Sequence, residues 1–256
     1  MLTVILAKLV LEKSGAGTQN YNMSNIPQNL AAFKTELAAV CRDYGRNPAE
    51  ISLVAITKNR SPAEINALLQ SGVKIIGENR LQEFLAKKAE IAECEKHFVG
   101  RIQSNKAREI AREFDVIESV ASVKVAKILD QSINPRFLNE SVNPRVNSGV
   151  NSAIKKLPIF LQVNLARETQ KDGFLEEDLE DAVKAIRELP NLKIVGLMTI
   201  GLAGDEIQTR EIFEQGKALC DKFGLTQFSA GMSDDWQLAV AAGATNLRIG
   251  RRLFEN

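Results

Sequence analysis

The feature that most constrains this fold is a regular alternation of short β-rich runs with longer segments of helical period. In each helical segment the apolar residues recur three or four positions apart, which is the spacing of an amphipathic helix. The β-rich runs cover 51–57, 74–77, 97–102, 116–120, 159–165, 193–200, 227–231 and 246–249. The helical segments cover 28–42, 62–70, 82–92, 105–114, 123–130, 176–189, 208–223 and 235–242. Strict alternation of this kind predicts parallel strands that are joined by helical crossovers.

The number of units selects the architecture. Eight strand–helix units in roughly 230 residues match a single (β/α)8 barrel of the TIM type. A doubly wound open sheet is the alternative, but it usually has fewer strands and often opens with a Gly-rich turn, which this chain lacks. We therefore predict an α/β protein with one barrel over residues 25–256. Local signals support the helix ends, since Ser61 and Glu64 form a capping-box pattern and Gly72 and Gly224 stand where helices should stop.

Two segments do not fit the alternation. Residues 1–24 are apolar at first, but Lys8 interrupts them and no basic region precedes them. The run is also too short to cross a bilayer, so we predict a disordered extension. Residues 131–156 are rich in Asn, Ser and Pro, which predicts a flexible insertion.

Composition excludes several functions. Lys plus Arg is 33 and Asp plus Glu is 32, so the formal net charge is +1, and we expect neither a nucleic-acid partner nor a membrane partner. The three cysteines, Cys41, Cys94 and Cys220, have no metal-ligand spacing and predict reduced thiols in a cytoplasmic protein. His97 is the single histidine, so a multi-histidine metal site is excluded and we expect no metal.

The functional groups of such a barrel gather where its strands end, on the loops that lead into the helices. Lys58 follows the apolar end of the first strand. A lysine there would keep its stem in the barrel and its amine at the rim, where partial desolvation lowers the pKa and favours attack on an aldehyde. Position alone still favours a plain surface lysine.

The last two strands end in groups that suit an anion. Ser233 offers a hydroxyl, Arg248 a guanidinium and Gly250 a close backbone approach, at the loops that hold phosphate in many barrels. Ser233 alternatively serves as a helix N-cap. A nucleophilic lysine together with an anion site describes a phosphorylated aldehyde as the ligand.

Three further residues have alternative interpretations. Asn79 ends the second strand, where it either faces the barrel mouth or caps the next helix. Met198 is either core filler or a soft wall against a flat ring. His97 opens the third strand in the predicted layout, at the end of the barrel that serves stability, so we interpret it as structural.

Five blocks of sequence together resemble the pyridoxal phosphate homeostasis proteins, a family of single barrels related to the N-terminal domain of alanine racemase. The blocks run from the first strand to the carboxyl terminus. They are 55–58, 77–83, 97–106, 196–200 and, at the last two strands, 231–234 with 248–250. Thr57 stands where the family usually has Ser, and Arg167 begins a loop that usually begins with Ser or Gly.

The resemblance implies that Lys58 carries pyridoxal 5'-phosphate covalently, as an internal aldimine. Lys106 and Lys171 are candidates for secondary capture or anion steering, although solvated loop lysines are the plainer interpretation. The resemblance does not place a group that faces the pyridine nitrogen. It implies the following surroundings: Ser233, Arg248 and Gly250 around the phosphate, and Asn79 and Met198 beside the ring.

A carrier is favoured over an enzyme. A two-base racemase needs a second acid or base, a tyrosine in alanine racemase, but Tyr21 and Tyr44 both precede the first strand and the chain ends soon after Arg248. We therefore predict a monomeric, non-enzymatic protein that sequesters pyridoxal phosphate and delivers it, with dependent apoenzymes as partners. The alternatives are a weak amino-acid racemase or decarboxylase, and a regulatory protein that contacts its partner through the 131–156 segment.

Overall fold

The computed structural model of the chain describes residues 25–133 and 156–255. The predicted extension at 1–24 lies outside the described residues, and so does nearly all of the predicted insertion at 131–156.

Eight parallel strands close into a barrel in chain order, which confirms the predicted class. The strands are β1 (Ser52–Ile56), β2 (Ile75–Glu78), β3 (Glu95–Phe98), β4 (Val116–Val120), β5 (Leu157–Gln162), β6 (Leu192–Met198), β7 (Gln227–Ser229) and β8 (Asn246–Ile249). The helices of the described ranges are α1 (Ile26–Asp43), α2 (Pro62–Gln70), α3 (Leu81–Lys87), α4 (Ala107–Glu113), α5 (Val123–Ile133), α6 (Glu176–Arg187), α7 (Glu206–Lys222), α8 (Trp236–Ala241) and α9 (Arg251–Phe254).

Barrel closure depends on β1, which pairs with β2 on one side and with β8 on the other. In the closing pair Val54 lies opposite Arg248, and Ala55 lies opposite Ile249. The helix after β8 is only four residues long. Because α1 packs against α2, α8 and α9, this first helix completes the outer ring where α9 is too short to do so.

The core has two layers, as the two-residue period of the strands requires. Strand residues such as Ile76, Phe98 and Phe228 join the helices in the larger, outer core. The opposite faces fill the barrel interior. Val54 and Ile56 belong to this inner set, because a Cβ atom at Gly77 would lie 2.9 Å from Val54 Cγ1 and 2.6 Å from Ile56 Cδ1.

The predicted helix ends are confirmed where local chemistry decides them. Ser61 Oγ accepts a hydrogen bond from the Glu64 amide, and Glu64 Oε2 accepts one from the Ser61 amide at 2.8 Å. This reciprocal pair is a capping box. Gly72 and Gly224 follow their helices with φ of 99° and 64°, in the left-handed region that favours glycine at a helix end.

The predicted strand ends differ from the observed ones most at the third and fifth strands. In place of the run 97–102 the structure has the strand Glu95–Phe98, and at Gly100 the chain passes so close to the residue after β2 that a Cβ would lie 2.0 Å from the Asn79 carbonyl oxygen. The run 159–165 contributes Leu157–Gln162. After it the loop folds back, and the Asn164 amide donates to the Phe174 carbonyl at 2.9 Å.

Within residues 25–133 and 156–255, no helix has both the length and the apolar character needed to cross a membrane.

The sheet predicts one costly glycine substitution. In Gly196→Ala the new Cβ would lie 2.1 Å from the Gln227 carbonyl oxygen of β7, and backbone in a closed barrel cannot move aside. We expect the free energy of unfolding to fall by about 3 kcal/mol in chemical denaturation. Gly204→Ala is the control, because its Cβ would meet no atom within 4 Å and its φ of 79° alone should cost about 1 kcal/mol. Equal losses in the two variants would contradict the steric argument.

Candidate functional site

Lys58 lies at the mouth of the barrel, where β1 ends. Its side chain is exposed, two positions beyond the inward-facing Ile56. Within the described part of the chain no hydrogen bond or ion pair engages its amine. Gly250 lies beside the end of β1, because a Cβ on Gly250 would lie 3.4 Å from Ile56 Cβ. The closing strand pair therefore brings the loop after β8 next to the strand that Lys58 follows.

The loops after β7 and β8 meet at the same edge. The Arg248 amide donates to the Gly231 carbonyl at 3.0 Å, which ties the end of β8 to the loop after β7. Ser233 is half-buried in that loop and lines, with Arg251, a cavity of about 420 Å³. Ser233 is not a helix cap, because Asp235 occupies the N-cap position of α8. Its hydroxyl is thus available to a ligand.

Arg248 lies deeper than a surface phosphate grip would require. Its side chain points into the barrel and is 5% exposed. One terminal nitrogen donates to Ser229 Oγ at 2.7 Å, and the other donates to the Thr199 carbonyl at 2.9 Å. The guanidinium therefore places a positive charge below the mouth, with its orientation fixed by protein oxygens.

The sequence analysis did not predict a network of polar side chains that crosses the barrel interior. His97 Nδ1 lies 2.5 Å from Glu118 Oε1, and the Ser229 hydroxyl donates to Glu118 Oε2 at 2.5 Å. Because Ser229 also accepts from Arg248, four residues of β3, β4, β7 and β8 form one connected network. The sequence signal that could have indicated this network is Glu118, because a carboxylate within a buried strand requires hydrogen-bonding or charged partners.

The network determines the charges of its members. Burial by itself would lower the pKa of His97, but its hydrogen bonds to the carboxylates of Glu118 and of Glu95, the latter at 2.8 Å, outweigh burial and raise the pKa to about 9. Burial would raise the pKa of Glu118, but the hydrogen bond and charge of His97 and the charge of Arg248 lower it instead. Burial lowers the pKa of Arg248, against the opposing charge of Glu118. The interior thus holds a compensated set of charges. The predicted position of His97 was wrong, because β3 begins at Glu95 and His97 is buried within it.

Asn79 and Met198 occupy different depths. Asn79 follows β2 and does not cap α3, because the N-cap position belongs to Arg80 and no side chain caps that helix end. Its Oδ1 atom is buried without a hydrogen-bond partner, as expected of a group that awaits a ligand. Met198 is 1% exposed and packs with Val116 and Phe160, so it contributes to the interior below the mouth.

The two other candidate lysines belong to other loops of the rim. Lys171 donates to the Gly201 carbonyl at 3.1 Å and pairs with Glu168, so its amine is engaged. Lys106 is half-buried and lines a cavity of about 300 Å³ with Arg80. Lys58 differs from Lys171 because no residue of the described ranges bonds to its amine.

Comparison with known proteins gives a consistent result. Residues 29–255 match the family model described as alanine racemase, N-terminal domain. A pyridoxal phosphate homeostasis protein of Pseudomonas aeruginosa is 35% identical over 237 residues, which cover 91% of this chain and 96% of that protein. One of Escherichia coli is 30% identical over 245 residues, which cover 91% and 97%. The structure of PipY from Synechococcus elongatus with PLP bound superimposes with a TM-score of 0.74 at 31% identity, covering 90% of this chain and 100% of PipY.

The fold therefore defines a single barrel of the alanine racemase N-terminal type, with an exposed lysine at its rim. Within that class, the chain belongs to the family of pyridoxal phosphate homeostasis proteins.

The residues present fit pyridoxal phosphate chemically. An unpaired amine suits the aldehyde, the hydroxyl of Ser233 and the close approach at Gly250 suit a phosphate, and the unpartnered Asn79 Oδ1 suits a polar substituent of the ring.

The interior network predicts a specific dependence of stability on pH. The pKa of His97 rises from 6.5 in a free side chain to about 9 in the native state. Native protein therefore binds this proton more tightly than unfolded protein does, and the resulting stabilisation is complete below about pH 6.5 and lost as the pH rises through about 9. We expect the free energy of unfolding to fall by up to about 3 kcal/mol across this window.

The measurement is chemical denaturation at several pH values, and the control is His97→Gln, which cannot titrate. The difference between the two proteins isolates His97 from the cysteines, which also titrate at high pH. Parallel pH profiles would contradict the charge state of the network.

Proposed function

We propose that this protein holds pyridoxal 5'-phosphate covalently through Lys58 and thereby sequesters and delivers it. The observation that carries the proposal is the exposed side chain of Lys58, unpaired within the described residues and two positions beyond Ile56, the inward-facing end of β1 that Gly250 contacts. When bound, the cofactor supplies a reactive aldehyde on an electron-withdrawing ring. Holding that aldehyde on a protein lysine keeps its free concentration low.

The other residues bind and orient. Ser233 and the backbone at Gly250 hold the phosphate at the β7 and β8 loops, where this fold usually binds such groups. Arg248 contributes its buried positive charge from below. Asn79 meets the ring from the β2 side, and Met198 supports the apolar floor. An anionic ligand gains from this arrangement because the cationic side chain is already desolvated and held.

Three observations favour a carrier over an enzyme. Tyr44 follows α1 at the amino ends of the strands, opposite the mouth, since Arg46 two residues later donates to the carbonyl of Ala244, just before β8. His97 has both ring nitrogens engaged by carboxylates and is not free to move a substrate proton. The matched relatives are also named as homeostasis proteins. Delivery then goes to dependent apoenzymes.

Lys58→Ala tests the covalent link. We expect the unchanged protein with added pyridoxal phosphate to show a visible absorption band, and borohydride to fix the cofactor on Lys58, as located by peptide mass spectrometry. Lys58→Ala should lose the band and the label, because Lys58 supplies the amine at the end of β1. Lys106→Ala is the matched control and should keep both. A full, reducible label in Lys58→Ala would refute the proposal.

Amino-acid chemistry distinguishes a carrier from a weak enzyme. The loaded protein is incubated with L-alanine in deuterium oxide, and deuterium at the α-carbon is followed by NMR. We expect no exchange above that given by free pyridoxal phosphate, because Tyr44 lies at the opposite end of the barrel and both ring nitrogens of His97 are engaged. Exchange that depends on Lys58 would establish the enzymatic alternative instead.

A further inference from the structure

The main chain on both sides of Lys58 is held by the helix of the next unit. Lys87, at the end of α3, donates from Nζ to the Thr57 carbonyl at 2.9 Å and to the Arg60 carbonyl at 3.3 Å. Glu83, one turn earlier on the same helix, accepts from the Asn59 amide at 2.5 Å. Two side chains of α3 therefore form hydrogen bonds with two carbonyls and one amide of the main chain around Lys58.

The loop needs this restraint because its conformation is unusual. Asn59 has a φ of 60°, in the left-handed region that residues other than glycine rarely adopt. Such a residue persists where its surroundings fix it. The bond from Glu83 is made to the amide of this same residue. Without this hydrogen bond, the turn that carries Lys58 is less strongly fixed in its conformation.

The restraint is itself anchored in buried structure. Lys87 is 9% exposed in its side chain and lies 2.8 Å from Glu78 Oε1 of β2, which is fully buried, and 3.1 Å from Glu83 Oε1. Thr57 also donates its hydroxyl to Glu78 Oε1 at 2.5 Å. One ammonium thus joins the loop after β1 to the wall of β2 and to α3. In a buried site such charge-assisted bonds are short and directional.

We propose that Lys87 and Glu83 are positioning residues that fix the loop of Lys58 so that its amine is presented at the barrel mouth for pyridoxal phosphate. Neither side chain needs to touch the cofactor. They bond to the carbonyls and the amide of the main chain around Lys58, and these groups determine the position of its backbone. This inference rests on the proposed function, in which Lys58 makes the covalent link.

The variants remove the two side chains in turn. Glu83→Ala removes the acceptor of the Asn59 amide and one partner of Lys87, whereas Glu83→Gln keeps an oxygen there and should restore most of the cofactor binding. Lys87→Met removes the ammonium at similar length. Lys88→Met is the matched control, since Lys88 is the adjacent residue, is 41% exposed and pairs with Glu113 at 2.7 Å, away from the loop.

Two readouts are needed. The first is the dissociation constant for pyridoxal phosphate. The second uses cofactor-free protein: trace acetylation with acetic anhydride, with the rate at Lys58 compared by mass spectrometry with that at Lys184 in the same sample. We expect Glu83→Ala and Lys87→Met to weaken cofactor binding about tenfold and to change the relative labelling rate of Lys58, as loss of one charge-assisted hydrogen bond would. Lys88→Met should change neither.

The outcomes distinguish the two proposals. If Lys58→Ala keeps the reducible label, the proposed function fails. If Lys58→Ala loses the label but folded Glu83→Ala binds the cofactor and labels at Lys58 like the unchanged protein, the positioning role is refuted. General loss of structure would change Lys184 labelling as well as Lys58 labelling, and Glu83→Gln would not rescue it. Should Lys87→Met fail to fold, the two Glu83 variants decide the question.

Discussion

The pairing of β1 with β8 is the constraint on which the rest of this structure depends. It joins the two ends of the described chain and removes the exposed edges that an open sheet would leave. It also fixes the register in which Val54 lies opposite Arg248, and so brings Gly250 next to the end of β1. The loop after β8 lies beside the strand that Lys58 follows only because this seam is closed.

The barrel interior combines apolar packing with a compensated set of charges. Near β4 to β6 it is filled by Val116, Phe160 and Met198, while Glu118 and Arg248 share Ser229 between them. Burying such groups is expensive, and the expense is offset only where each charge has partners. The same arrangement keeps a guanidinium beneath the mouth without exposing it. Packing and ligand binding therefore depend on the same strands.

The sequence was most informative where a local rule decides the outcome. The capping box at Ser61 and the left-handed glycines at 72 and 224 need only their neighbours, and they were predicted. Strand ends were less certain. The third strand ended early, where Gly100 closely approaches Asn79, the residue just after β2. Such a contact leaves no trace in hydrophobic periodicity.

The sequence alone determined the number and order of the strands, eight of the nine α-helices of the described ranges, the class of fold, and Lys58 as the residue just after β1. These follow from periodicity, turn residues and motif spacing, which are local along the chain. Only the tertiary structure decided that His97 and Arg248 belong to one network through Glu118, and that Lys87 and Glu83 hold the loop of Lys58. The reason is that hydrogen bonds between strands and helices depend on closure and register, and these exist only in the folded chain.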